Sequence, residues 1–291
     1  MIYAGVELGG TKCAATLADG DRQVLAREII ATAAPDETIA RIEGVLAGWK
    51  SDPGFTALGI ASFGPIDTDP NSRSYGSVLK TPKPGWADTV VVPRLQHAAG
   101  APVAFDTDVN GAALAEMRWG SGRGFDDFAY VTVGTGVGVG LIANGQPTRG
   151  FAHCELGHVR VARFPGDDWP GSCPYHGDCV EGLASGSSLK ARFGDRISEL
   201  GPDNPVWNSV AWALAQLCQV IVCAAAPRRI AMGGGVIEAQ PHLIRRVNAA
   251  LADSLNGFLQ LPGAGDYVRA PELGGDAGPL GAIALAMTAA R

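Results

Sequence analysis

The sequence predicts an α/β protein built as two lobes, and three observations carry that expectation. The β-type runs Ile2–Val6, Phe128–Val133 and Arg229–Met232 each lead into a glycine cluster: Gly9-Gly10, Gly134/136/138/140 and Gly233-Gly234-Gly235. Helical patterns lie between them, and strands alternating with helices define the α/β class. The 291 residues reach the size, about 250–300, at which one hydrophobic core stops growing and a second begins.

Each element has a local reason. A strand ending in glycine lets a backbone turn approach a ligand closely. Three such turns along the chain suggest three walls of one site. Asp36-Glu37-Thr38-Ile39 opens a helix that runs through Leu46, with Asp36 as its expected N-cap. Asp108 to Trp119 reads as a second helix, and Val206 to Ala226 as the longest. Within that last helix, Leu214 to Pro227 is the nearest approach to a membrane span. Gln216 and Gln219 interrupt it, so a buried helix is expected. Val6-Glu-Leu-Gly-Gly-Thr-Lys and Thr132-Val-Gly-Thr-Gly-Val-Gly are loosely alike, which hints at two related halves.

Composition narrows the function. Hydrophobic residues make up 46% of the chain, ample for a core. The net charge of −6 argues against a nucleic-acid scaffold, which normally shows a basic face. The N-terminal residues lack the pattern of a secretory signal, and a cytoplasmic location is expected. Four of the six cysteines, Cys13, Cys154, Cys218 and Cys223, sit among apolar or small residues and are expected to be core thiols.

The other two cysteines belong to the densest chemical cluster. His158, Cys173, His176 and Cys179 supply two imidazoles and two thiols, a full tetrahedral ligand set for zinc. Four protein ligands leave no open position, so a structural ion is expected. Glu155 and Glu181 flank the cluster. Glu155, beside Phe151 and Leu156, would be costly to bury without polar partners. Sugar hydroxyls are such partners, and a solvated surface acid is the alternative.

The glycine turns carry the second constellation. Gly9-Gly10-Thr11-Lys12 offers backbone N–H groups, a hydroxyl and a charge to phosphate oxygens; a plain hairpin turn is the alternative. Alternating glycines at Gly134-Thr135-Gly136 weaken a sheet and read better as a phosphate wall. Gly233-Gly234-Gly235 is either a strand-to-helix turn or a floor for adenosine. In Asp106-Thr107-Asp108-Val109-Asn110, Asp108 is either the cap of the helix that follows or a general base accepting a hydroxyl proton.

Taken in order, Glu7-Leu-Gly-Gly-Thr-Lys12, Asp106-Thr-Asp108, the Gly134–Gly140 turn, Glu155-Leu-Gly-His158, Cys173…Cys179-Val-Glu181, Gly233–Gly235 and Asp276-Ala-Gly-Pro-Leu-Gly281 resemble the ROK family of bacterial sugar kinases and repressors, over nearly the whole chain. Gly76-Ser-Val-Leu-Lys-Thr-Pro-Lys-Pro-Gly-Trp86 and Cys173-Pro-Tyr-His-Gly-Asp-Cys179 are most like its fructokinase branch. The resemblance implies a two-lobed actin/hexokinase-like (ribonuclease H-like) ATPase fold with a zinc-bound loop, ATP and Mg²⁺ as cofactors, and a homodimer. The small lobe is expected over 1–115 plus 277–291 and the large lobe over 116–276.

Carried over, Asp108 is the catalytic base. Thr107, Glu155, His158 and Glu181 bind the sugar. Gly9, Gly10, Thr11, Lys12, Gly134, Thr135, Gly136, Gly233, Gly234 and Gly235 bind ATP. His158, Cys173, His176 and Cys179 hold zinc. Two departures stand out: Glu7 replaces a common Asp, and Thr107 replaces the Asn of glucokinase-like members. The resemblance favours fructose, with glucose, mannose or an N-acetylhexosamine as alternatives. Repressors of the family carry a DNA-binding segment ahead of the first glycine motif. Here Gly9 comes almost at once, so a kinase is expected rather than a regulator or a zinc-ribbon interaction module.

Overall fold

The computed structural model describes residues 1–263 and 265–290. It divides into two compact units. One holds Met1–Arg123, Pro147–His153 and the C-terminal stretch from Gly275; the other holds Gly124–Gln146 and Cys154–Gly274.

In the first unit, strands β1 (Ile2–Leu8), β2 (Lys12–Asp19) and β3 (Val24–Ala31) form an antiparallel meander. Helix α1 (Pro35–Ser51) follows. It begins at Pro35 rather than at an Asp36 cap. Ala34 occupies the cap position without a side-chain bond, because proline at the first helical position already fixes the backbone there. Asp36 instead pairs with Arg94 at 2.7 Å.

Strand β4 (Leu58–Ser62) runs parallel to β1, and β5 (Ser77–Val78) pairs with β6 (Thr89–Val90) in a separate small ribbon. Helix α2 (Val92–Ala99) leads to β7 (Val103–Thr107), which lies parallel to β4, and then to α3 (Asp108–Trp119). The sheet order is β3-β2-β1-β4-β7. Leu8, Ile39, Ile42, Leu46, Ile60 and Trp86 are fully buried in its core.

The second unit repeats this connectivity. Strands β8 (Phe128–Val133), β9 (Val137–Ala143) and β10 (Gln146–Pro147) come first, β10 ending at the unit boundary. The short α4 (Val180–Ala184), α5 (Gly186–Phe193) and the long α6 (Val206–Ala225) precede β11 (Ile230–Gly233). Then come α7 (Gly235–Ala239), α8 (His242–Leu255) and β12 (Val268–Arg269). The order is β10-β9-β8-β11-β12, with β11 parallel to both β8 and β12.

Helix α6 is long and apolar enough to cross a membrane by length and composition. Its Leu214, Leu217, Cys218 and Ile221 are fully buried against the sheet of this unit. The expectation of four core thiols holds for Cys13 and Cys218 only; Cys154 is half-buried and Cys223 is exposed. Cys223 lies on the face of α6 turned away from that core. The chain closes with α9 (Ala277–Ala289) in the first unit, whose Ala282, Ile283 and Ala286 are fully buried.

Candidate active site and metal centre

In the first unit, the turn between β1 and β2 is made by Gly9, Gly10 and Thr11. A Cβ on Gly9 would lie 2.4 Å from the Lys12 carbonyl oxygen, so the turn requires glycine there. Thr32 braces the turn, donating its hydroxyl to the Gly9 carbonyl at 2.8 Å and its N–H to the Thr11 carbonyl at 3.0 Å. Gly10 faces open space. The Lys83 ammonium donates to the Gly10 carbonyl, bringing to this turn a cation that no local motif announced. The Trp86 backbone N–H donates to the Lys83 carbonyl at 3.2 Å, and its indole N–H donates to the Ala33 carbonyl at 3.1 Å. Glu7 is the penultimate residue of β1, and burial raises its carboxyl above the usual range against the pull of Lys12 and Arg27.

At the end of β7, the structure separates the two roles offered for Asp108. Thr107 is the N-cap of α3; its hydroxyl accepts the Asn110 N–H at 3.2 Å. Asp108 is the first helical residue, and its carboxylate accepts the N–H of Val109 at 2.9 Å. Asp106 is 2% exposed. One of its oxygens accepts the Thr107 N–H at 2.8 Å and an Asn110 amide N–H at 2.7 Å, and the other meets Arg149 at 2.7 Å. Sequence reasoning assigned no role to Arg149, because its partner lies far away along the chain.

In the second unit, the turn between β8 and β9 holds Gly134, Thr135 and Gly136. The Gly186 N–H donates to the Gly134 carbonyl at 2.7 Å, so α5 starts at this turn. Glu181 lies against it as well. One carboxylate oxygen accepts the Val137 N–H at 3.1 Å, and a Cβ on Gly136 would fall 2.5 Å from that oxygen. The other oxygen is 4.0 Å from His158 Nε2. Glu181 therefore joins the glycine turn to the Cys/His cluster. Gly234 adopts φ 92° at the start of α7, where a side chain would press on the Val133 carbonyl 2.7 Å away. Glu155 precedes a single helical turn, Leu156–His158. It is exposed, so the expected cost of burying it in an apolar setting does not arise.

His158, Cys173, His176 and Cys179 present ligand atoms that all lie within 4.8 Å of one another. Cys173 Sγ is 3.6 Å from His158 Nδ1 and 3.7 Å from His176 Nδ1, and Cys179 Sγ is 3.7 Å from His158 Nδ1. At zinc's usual bond lengths, tetrahedral ligand atoms lie roughly 3.3–3.8 Å apart. The spacing thus fits a four-coordinate ion. A tight turn positions two of the ligands: the Cys173 and Gly177 backbones exchange hydrogen bonds at 3.1 and 2.9 Å. Burial, with added repulsion from Cys173 and Glu181, pushes the Cys179 thiol up to about 11. A cation is what would hold that sulfur as thiolate near neutral pH.

Two ribonuclease H-like sheets of the same order, each with a glycine turn at its first hairpin, together with this ligand cluster define the architecture of a ROK-type protein. The ROK family model matches residues 3–289, and the chain belongs to that family. The chain is 41% identical to a fructokinase from Zymomonas mobilis, with 99% of this chain and 97% of that protein covered. Among solved structures, it is similar to a ROK hexokinase from Thermus thermophilus, with TM-score 0.80, 27% identity, and 99% and 98% of the two chains covered. It is also similar to a ROK family glucokinase from Streptomyces griseus in complex with glucose and AMPPNP, with TM-score 0.77, 26% identity, and 99% and 100% covered.

Proposed function

We infer that this protein is an ATP-dependent hexose kinase whose preferred acceptor is fructose, yielding fructose 6-phosphate. The observation that carries this reading is the 41% identity to a fructokinase over 99% of the chain. The residues fit the chemistry. Asp108 sits at the first position of α3, with its neighbours Thr107 and Asn110 tied down by the helix cap and by Asp106. In our reading it accepts the proton of the sugar hydroxyl as that oxygen bonds to the γ-phosphorus. The bond from the γ-phosphorus to the bridging oxygen breaks, and ADP leaves with the electron pair.

Gly9, Gly10, Thr11, Lys12, Gly134, Thr135 and Gly136 donate to phosphate oxygens. Gly233, Gly234 and Gly235 receive the adenosine. Glu155, His158 and Glu181 take sugar hydroxyls. Thr107, whose hydroxyl oxygen serves the cap, keeps its proton to donate. Glu7 is a hard oxygen ligand of the type Mg²⁺ takes, and its burial makes a nearby cation favourable. Asp106 is already saturated by three partners and does not suit that role. Mg²⁺ supplies charge neutralisation on the transferring phosphoryl group.

The Cys/His cluster, in this reading, holds structural zinc. His158 Nδ1 faces the thiols while Nε2 faces Glu181, so the ion fixes the imidazole that orients the carboxylate. A cytoplasmic location and a homodimer complete the proposal. The test is ADP release over a panel of hexoses, with and without Mg²⁺. The reading expects kcat/KM to be highest for fructose. Sugar-dependent ADP release that favours glucose, mannose or an N-acetylhexosamine would reassign the substrate, and none with any hexose would overturn the reading.

A further inference from the structure

The segment Pro147–His153 departs from its neighbours in sequence. The chain leaves the second unit after Gln146, spends these residues in the first, and re-enters the second at Cys154. Arg149 and His153 face each other across a narrow antiparallel turn, closed by the Gly150 N–H donating to the Ala152 carbonyl at 3.0 Å. Two side chains fasten this strap. His153, itself buried, accepts the Ile66 N–H on Nε2 at 3.1 Å. Arg149 meets the buried Asp106 at 2.7 Å.

The second fastening is the consequential one. Asp106 stands two residues before the proposed base. Its other oxygen holds the Thr107 N–H and the Asn110 side-chain amide, the residues on either side of Asp108 and Val109. A buried carboxylate needs a partner charge, and among the described residues Arg149 supplies it to Asp106 at 2.7 Å. Arg149 is therefore the outer support of the turn from which Asp108 projects. Its side chain is 45% exposed.

We propose that Arg149 is a positioning residue for the phosphoryl-transfer step, acting through Asp106 to fix the Thr107–Asn110 turn and with it the Asp108 carboxylate. This rests on the kinase reading above. The strap ends at His153, two residues before Glu155, so one short segment carries a support for the base and is followed by a proposed sugar ligand.

The experiment is a double-mutant cycle with Arg149→Met and Asp106→Asn, plus Arg149→Lys as the conservative variant. Small displacements of a reacting group cost on the order of a hundredfold in rate. Arg149→Met is expected to lower kcat about 30–100-fold per folded molecule while the KM for ATP stays within about twofold. Arg149→Lys should fall between the wild type and Arg149→Met. The losses in kcat should not multiply in the double variant, because both changes act on one path.

A kcat within twofold of wild type in folded Arg149→Met, with only a lowered melting temperature, would make the pair purely structural and overturn the proposal. So would losses that multiply. Amide hydrogen exchange at Thr107 and Asn110 reads the geometry whatever the substrate. It should be at least tenfold faster in Arg149→Met while β4 keeps its protection, and unchanged exchange overturns the inference even if the kinase reading stands. Faster exchange in a wild-type background that phosphorylates no hexose supports the geometric support and places the failure in the kinase reading.

Discussion

The two units solve one problem in different ways. Both lay out a five-stranded sheet in the same order and place a glycine turn at the first hairpin. In the first unit the candidate residues are held by regular structure. Asp108 is at the start of a helix, Thr107 caps it, and Asp106 ties strand end to helix through Asn110. In the second unit the corresponding work falls to irregular chain: residues 159–179 contain no helix or strand. A loop of that length has little backbone hydrogen bonding of its own, and such loops need another constraint. Part comes from side chains, with Arg192 on Asp167 at 2.8 Å and the Trp169 indole N–H on Ser188 at 3.2 Å. The rest, on this account, comes from a metal. Where secondary structure fixes a site, the ligand residues can be sparse; where it does not, a covalent-strength anchor takes its place.

The contrast can be broken at the proposed zinc site first. Cys179→Ala, or chelation, removes a constraint from the second unit and should cost about 4–5 kcal/mol or more. Hydrogen exchange should locate the loss in residues 154–185, with the β1–β4 strands of the first unit unchanged. Equal loss in both units would show that the ion does not act locally.

The paired turns offer the next test. In Gly9→Ala the new Cβ meets a backbone oxygen at 2.4 Å, so the chain itself must shift. A stability loss of about 1–3 kcal/mol is expected, together with a raised KM for ATP. In Gly136→Ala the new Cβ meets only the end of the Glu181 side chain, at 2.5 Å. That end can swing away, so the stability loss should stay under about 1 kcal/mol. The displaced carboxylate should still weaken sugar affinity roughly tenfold, the loss of a charged hydrogen bond or so. Thermal melts and sugar titrations of the two variants, side by side, check both halves.

The smallest effect lies in the core of the second unit. Burial pushes Cys218 from 9.0 up to about 12. The folded state keeps this proton after the unfolded chain has lost it, so the contribution is fully present below pH 9 and is lost as pH rises towards 12. The slope should reach about 1.4 kcal/mol per pH unit. Denaturant unfolding at pH 8, 9 and 10 should show a shallower decline in Cys218→Ala than in the wild type.

Much of this is legible in the amino-acid sequence. The strand–glycine pairs at Ile2–Val6, Phe128–Val133 and Arg229–Met232 became β1, β8 and β11, since β-branched runs and glycine turns are local signals. The helix from Asp108 to Trp119 was found at those bounds, and Val206 to Ala226 within one residue. The Cys/His cluster was legible because sulfur and imidazole at short spacing have few other uses, and its four ligand atoms do come within 4.8 Å of one another. Legibility failed where the cause was distant. Nothing near Arg149 signals a partner in β7, and nothing near Lys83 signals the Gly10 carbonyl. One misreading was local: Asp36 lost the cap to a helix begun by Pro35. Glu155 is exposed, as the alternative of a solvated acid expected.

In the proposed reaction the chemistry rests on Asp108, while Glu155, His158 and Glu181 take the sugar hydroxyls. Asp108→Asn tests it most directly, with sugar affinity measured by titration and phosphorylation by coupled ADP release on the same preparation. Sugar affinity should stay within about threefold of wild type and turnover should fall about 10²–10⁴-fold, the range a lost general base commands. An Asp108→Asn protein that turns over within tenfold of wild type would contradict it.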